Sequence, residues 1–135
     1  MPLFFRENGG TIVGAKEMEV YKMKLLIIVL NKIECLDKIL TKFGKNNLPG
    51  ATILDSRGMA QSLEGHDELR FLGSLRLLMN PAHKENKTIF MVLPEEKIPL
   101  VSKIVNEVTG GLEKPDTGIL FTVPVDHVEG VEQHL

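Results

Sequence analysis

The chain has no tryptophan, a single tyrosine (Tyr21) and only 5% aromatic residues in all. So few rings argue against a stacking platform for single-stranded nucleic acid. The only cysteine, Cys35, excludes an internal disulfide framework and a cysteine-rich tetrahedral zinc site, and it points to a reducing, cytoplasmic compartment. No apolar run approaches the ~20 residues needed to cross a bilayer, so no membrane insertion is expected. The longest such run is Leu25-Leu26-Ile27-Ile28-Val29-Leu30. Charge of one sign is lacking too: 16 Lys plus Arg stand against 18 Asp plus Glu, a formal net charge of −2. That balance gives no general pull toward nucleic acid or anionic membrane and leaves room only for a local basic patch. The first sixteen residues carry an apolar patch, Leu3-Phe4-Phe5, without a sustained hydrophobic core or a small-residue cleavage site, so no secretory signal is expected.

What is present is a globular balance: 43% hydrophobic and 25% charged residues in a chain of 135, the size of one domain. Residues 1–23 hold turn signals, Asn8-Gly9-Gly10 and Gly14, and read as a flexible extension with at most a short strand at residues 11–13. Residues 24–135 read as the domain. Residues 25–30 are a strand rich in β-branched side chains. A helix follows, with Asn31 placed to cap it and Ile33, Leu36, Ile39, Leu40 and Phe43 at helical spacing. Asn46-Asn47 and Pro49-Gly50 end it. Residues 51–57 form a second strand closed by Gly58. Residues 59–86 follow no single period and make a long loop of the kind that often carries function. Residues 87–93 are a third strand. Pro94-Glu95-Glu96 opens a second helix with apolar positions at Ile98, Val101, Ile104, Val105 and Val108, and Gly110-Gly111 stops it. Residues 119–125 are the fourth strand.

The order strand, helix, strand, strand, helix, strand predicts an α+β, ferredoxin-like (βαββαβ) antiparallel sheet with two helices on one face. The uncovered face of such a sheet normally alternates polar residues with apolar ones. Three of these four strands are instead apolar on nearly every residue, so both faces need cover. A homo-oligomer with its sheets packed inside supplies it. The other cover is the N-terminal extension or the long insert folding over a monomer, and Gly-containing, gapped segments make poor lids.

Several features in order resemble the PII signal-transduction family, over about residues 24–129. They are Leu36-Asp37 opening the first helix, Pro49-Gly50-Ala51-Thr52 entering a strand that ends at Arg57-Gly58, the long excursion after that glycine, and Thr109-Gly110 before a turn with Asp116 and Gly118. The strand Ile119-Leu120-Phe121-Thr122-Val123-Pro124-Val125 then follows. The resemblance implies a trimer that binds an adenine nucleotide in clefts between subunits, senses 2-oxoglutarate in many members, and presses a long loop on transporters, enzymes or regulators of nitrogen metabolism. Carried over residue by residue, it implies ligand contacts at Thr52, Arg57, Gly58, Gln61, Thr109, Gly110, Gly111, Asp116 and Gly118. The long loop that the resemblance makes partner-binding holds the candidate contact His66 and, with Arg70, Arg76, His83 and Lys84 and with Lys87 at its exit, is mildly basic. The physical logic is that a Gly-rich turn exposes N–H groups to phosphates while cations neutralise them.

The chain departs from the family where that chemistry sits. After the second strand it reads Gly58-Met59-Ala60-Gln61-Ser62, with the glutamine displaced by one place. Ile119 stands where the phosphate turn has a lysine, Glu113 and Pro115 enter that turn, and the tail reads Val128-Glu129-Gly130-Val131-Glu132 where two arginines belong. Three missing charge-assisted bonds of about 1.5–3 kcal/mol each weaken triphosphate binding by orders of magnitude. The long loop has no tyrosine, so the family's uridylylation has no acceptor there. Arg57-Gly58 and Gly110-Gly111 are the best small-molecule candidates, because they are expected to end adjacent elements of the sheet, and they read equally as ligand contacts and as plain turns. The loop cations read as a docking patch or as a solvated surface. The histidines His66, His83, His127 and His134 show no metal-ligand spacing, and no metal site is expected. Cys35, without a basic partner in sequence, reads as an ordinary packed thiol. No nucleophile–base pair or carboxylate dyad appears, so the expectation is a non-enzymatic regulator. Its alternatives are a CutA-like trimer with a metal-tolerance or structural role and a small ferredoxin-like enzyme using a loop histidine such as His66.

Overall fold

Strand β1 (Met23–Leu30) is apolar on both sides, and the two sides meet different surroundings. Leu26, Ile28 and Leu30 are fully buried, while Leu25, Ile27 and Val29 stay half-buried on the opposite face. A computed structural model of the chain describes residues 22–48, 50–62 and 85–131. The short strand expected at residues 11–13 and most of the long loop lie outside them.

Three more strands join β1: β2 (Thr52–Ser56), β3 (Asn86–Pro94) and β4 (Gly118–Pro124). They form a four-stranded sheet in the order β2-β3-β1-β4, with every pairing antiparallel. Helices α1 (Leu36–Lys45) and α2 (Ile98–Thr109) cover one face. The result is an α+β protein with two helices on an antiparallel sheet, compatible with a ferredoxin-like fold. The core lies between the layers: Leu26, Ile28, Ile89 and Met91 from the sheet meet Ile39, Phe43, Val101 and Val105 from the helices.

Both helices start later than the sequence reading has them. Asn31 does not cap α1, because its side-chain oxygen accepts instead from Asn86 Nδ2 and its N–H donates to the carbonyl of Thr117. A 3-10 turn, Ile33–Cys35, intervenes before α1. Cys35 sits at the junction with its thiol directed at the Val108 carbonyl, a half-buried packing residue. Pro94 remains in β3 with extended backbone, and a second 3-10 turn, Glu95–Lys97, precedes α2. Pro99 near the start of α2 occupies a position whose N–H has no helical acceptor. The ends follow the sequence. Asn47 takes a left-handed conformation (φ 56°) after α1, and Gly110 does so (φ 91°) as the C-cap of α2.

The described ends of the long loop are ordered differently from expectation. Met59–Ser62 forms one helical turn, in which Ser62 donates through both its N–H and its hydroxyl to the Gly58 carbonyl. Asn86 belongs to β3, opposite Ser56.

The second sheet face has no layer over it among the described residues. Register places Leu25 beside Val92 and Val123, Ile27 beside Phe90 and Phe121, and Val29 beside Thr88 and Ile119. Leu54 extends this face onto β2. Leu54, Ile119, Phe121 and Val123 are exposed on it.

Candidate functional site

Register brings one end of every strand together. Leu30 at the end of β1 pairs with Gly118 at the start of β4 and with Lys87 near the start of β3, and Ser56 at the end of β2 pairs with Asn86. Arg57-Gly58, Asn31-Lys32 and the turn from Gly110 to Gly118 therefore gather at this one end. The sequence reading put Arg57-Gly58 and Gly110-Gly111 on adjacent elements, and this is corrected: β2 and β4 are opposite edges of the sheet, with β3 and β1 between them. Three strand spacings separate the edges by about 14 Å. Thr52 is exposed at the far end of β2, opposite Phe90, and does not join the group. Gln61 lies in the helical turn after Gly58. His66, Arg70, Arg76, His83 and Lys84 lie outside the described residues.

The turn after α2 is built by its own helix. Thr109 is buried; its hydroxyl donates to the Val105 carbonyl (2.7 Å) and accepts the Gly111 N–H (3.3 Å). Asn106 accepts twice more, from the Gly110 N–H at its backbone oxygen (3.0 Å) and from the Leu112 N–H at Oδ1 (2.8 Å). The Lys114 N–H closes the turn on the Gly111 carbonyl (3.2 Å). A phosphate cradle needs free backbone donors. Those of Gly110, Gly111, Leu112 and Lys114 are directed inward. Farther along, Asp116 adopts φ 54° and Gly118 φ 154°. A side chain at Gly118 would place its Cβ 2.7 Å from the Val29 carbonyl oxygen, so this glycine permits the close approach of β4 to β1.

Sequence reasoning missed two features at this end. The first is a cation. The half-buried Lys32 donates from Nζ to the Thr109 carbonyl (2.9 Å), placing positive charge at the C-terminus of α2, where the helix dipole favours it. The second is a chain of polar side chains across the strands. Ser56 Oγ lies 2.8 Å from Thr88 Oγ1 and 2.5 Å from Asn86 Oδ1, and Asn86 Nδ2 donates to Asn31 Oδ1 (3.4 Å). With the Asn86 amide in this orientation Ser56 gives its one proton to Asn86 Oδ1, and Thr88 then donates to Ser56. Asn86 is buried, and its amide needs these partners. The signal available in sequence was the polar residue closing each apolar strand, but their pairing is a matter of register. On the helix side of the same end, Lys87 Nζ meets Asp55 (2.6 Å) and Glu85 (3.3 Å). The hydrogen bond to Asp55 first, and then that to Glu85, raises the Lys87 pKa above 10.5. Among the described residues no group of three or more His, Cys, Asp or Glu is placed to hold a metal ion, and no helix is long and apolar enough to cross a membrane.

No family model and no curated protein matches the chain. Among solved structures, a functionally unknown protein from Pediococcus pentosaceus is similar to it, with a TM-score of 0.55 at 16% sequence identity, over 82% of this chain and 99% of that one. The likeness is one of fold.

Proposed function

We propose that the protein is a PII-like, non-enzymatic regulator. It works as a homotrimer that takes a small effector in the clefts between subunits and acts on a partner protein, in nitrogen metabolism on the family's pattern, through the long loop of residues 59–86. The observation that carries this reading is the apolar face over which the described residues place no layer, together with the placement of the candidate residues on opposite edges. Ile119, Phe121 and Val123 still expose about half of their surface, so burying the rest contributes about 1 kcal/mol each, and copies of the same face are the cover that every chain brings with it. Within one chain the Arg57-Gly58 edge and the Gly110–Gly118 edge have two strands between them, so they do not form the two walls of one cleft. Neighbouring copies bring the end of one edge to the end of the other, and the cleft they share has contributions from both. An adenine nucleotide is the effector class the resemblance names. Effector occupancy then biases the segment after Gly58 between states that a partner distinguishes.

Light scattering of the purified chain in dilute buffer tests the assembly, with a particle of three chains expected. A particle of one chain would remove the clefts and the sensor with them. Calorimetry with ATP, ADP, AMP, cyclic nucleotides and 2-oxoglutarate tests the effector, with heat expected from at least one adenine compound.

A further inference from the structure

Glu113 occupies a position in the Gly110–Gly118 turn that the turn's geometry makes available. Gly111 is buried with φ 122°, and a Cβ on it would fall 2.5 Å from Oε1 and 2.6 Å from Oε2 of Glu113. The carboxylate thus lies over the bare Cα of Gly111, in the space the glycine leaves open. Two ammonium groups flank the same turn: Lys32 Nζ on the Thr109 carbonyl, and Lys114 Nζ 3.7 Å from the Cβ position of Gly110. Neither forms an ion pair among the described residues. The turn's N–H groups at Gly110, Gly111, Leu112 and Lys114 are bonded inward. What the turn offers a ligand is therefore a carboxylate acceptor set among lysines, with its amide donors already engaged.

We infer that Glu113 is a specificity-determining residue of this turn: its carboxylate stands over Gly111 as a built-in anion, repels multiply charged phosphates, and favours ligands that present a neutral or hydrogen-bond-donating group there. The inference rests on the reading of the turn as part of an effector cleft. Physically, a carboxylate this close to the approach path opposes each incoming negative charge and partly neutralises the field of Lys32 and Lys114. Glu113 is exposed and the backbone hydrogen bonds of the turn close without its side chain, so neutralising it removes the repulsion while the backbone of the turn stays as it is.

The test uses the full-length chain with two probes, ATP and adenosine, titrated by calorimetry against wild type, Glu113→Gln and Glu113→Asp. The expected result is about a tenfold gain in ATP affinity for Glu113→Gln, shrinking as salt is added, with adenosine affinity unchanged. Glu113→Asp keeps the wild-type preference, because it keeps the charge. Equal thermal unfolding of the three proteins confirms that the turn is intact; if Glu113→Gln unfolds early, Glu113→Lys supplies the same comparison. Adenosine binding with ATP affinity unchanged in Glu113→Gln overturns the inference alone. Silence of both probes in all variants overturns the effector reading of the turn, and the inference with it.

Discussion

Individual side chains at the loaded end of the sheet differ in how replaceable they are. Ser56 and Asn86 satisfy one another on β2 and β3, and Asn86 is buried. Ser56→Ala leaves the Asn86 carbonyl oxygen short of its donor and is expected to destabilise the fold by about 1–3 kcal/mol, read from denaturant unfolding. Gly118→Ala meets the Val29 carbonyl and must hold an alanine at positive φ, which costs of order 1–3 kcal/mol and lowers the unfolding midpoint. Lys87 gives a pH signature. Its folded pKa is raised above 10.5, so the folded state holds that proton more tightly than the unfolded chain. The resulting stability is fully present below about pH 10.5 and is lost as pH rises through the folded pKa. The stability difference between wild type and Lys87→Met is therefore expected to be constant from neutral pH to that point and to shrink above it. A difference that stays flat into strong alkali would show that the Asp55 bond is not formed. Of these residues only Gly118 was legible in sequence. Ser56 and Asn86 are separated by 30 positions, and Asn86 and Asn31 by 55, so the chemistry that joins them exists only once strands are in register.

Elements were more legible than the contacts between them, and the reason is local. Three of the strands announce themselves as apolar runs, β2 is marked by Gly50 and Gly58 on either side of it, and each observed strand lies within two residues of its expected bounds. Helix starts were read too early for one shared cause. Asn31 and Pro94 carry helix-start chemistry, but strand pairing and the bonds of Asn31 and Lys32 to the Thr117 carbonyl hold the chain extended past them, so a 3-10 turn has to turn the corner first. Helix ends were read correctly because Asn47 and Gly110 act through their own backbone conformation, which needs no distant partner. The turn after α2 depends on one side chain that sequence did not flag. Asn106 binds the Leu112 N–H across six residues, and Asn106→Ala releases that donor into a partly enclosed setting. The expected cost is about 1–2 kcal/mol, with faster hydrogen exchange confined to residues 110–114.

At the scale of the whole molecule, the two faces of the sheet set different fates for neighbouring residues on one strand. On β4, Phe121 lies opposite Ile27 on the uncovered face, and Thr122 lies opposite Leu26 on the helix-side face, both exposed along the sheet edge. A single chain tolerates a carboxylate at either place, because either already faces water. An assembly formed through the uncovered face separates the two cases. Phe121→Asp would strand a charge inside the contact, which costs several kcal/mol, more than a marginal interface can lose. Thr122→Asp would not touch that contact. The expected outcome is that wild type and Thr122→Asp scatter as the same multiple of one chain, while Phe121→Asp scatters as one chain with unchanged helix and strand content by circular dichroism. Equal masses for all three proteins would mean that the apolar face is covered by something other than its own copies. The edge-to-edge cleft between Arg57-Gly58 and the Gly110–Gly118 turn would then have no neighbour to complete it.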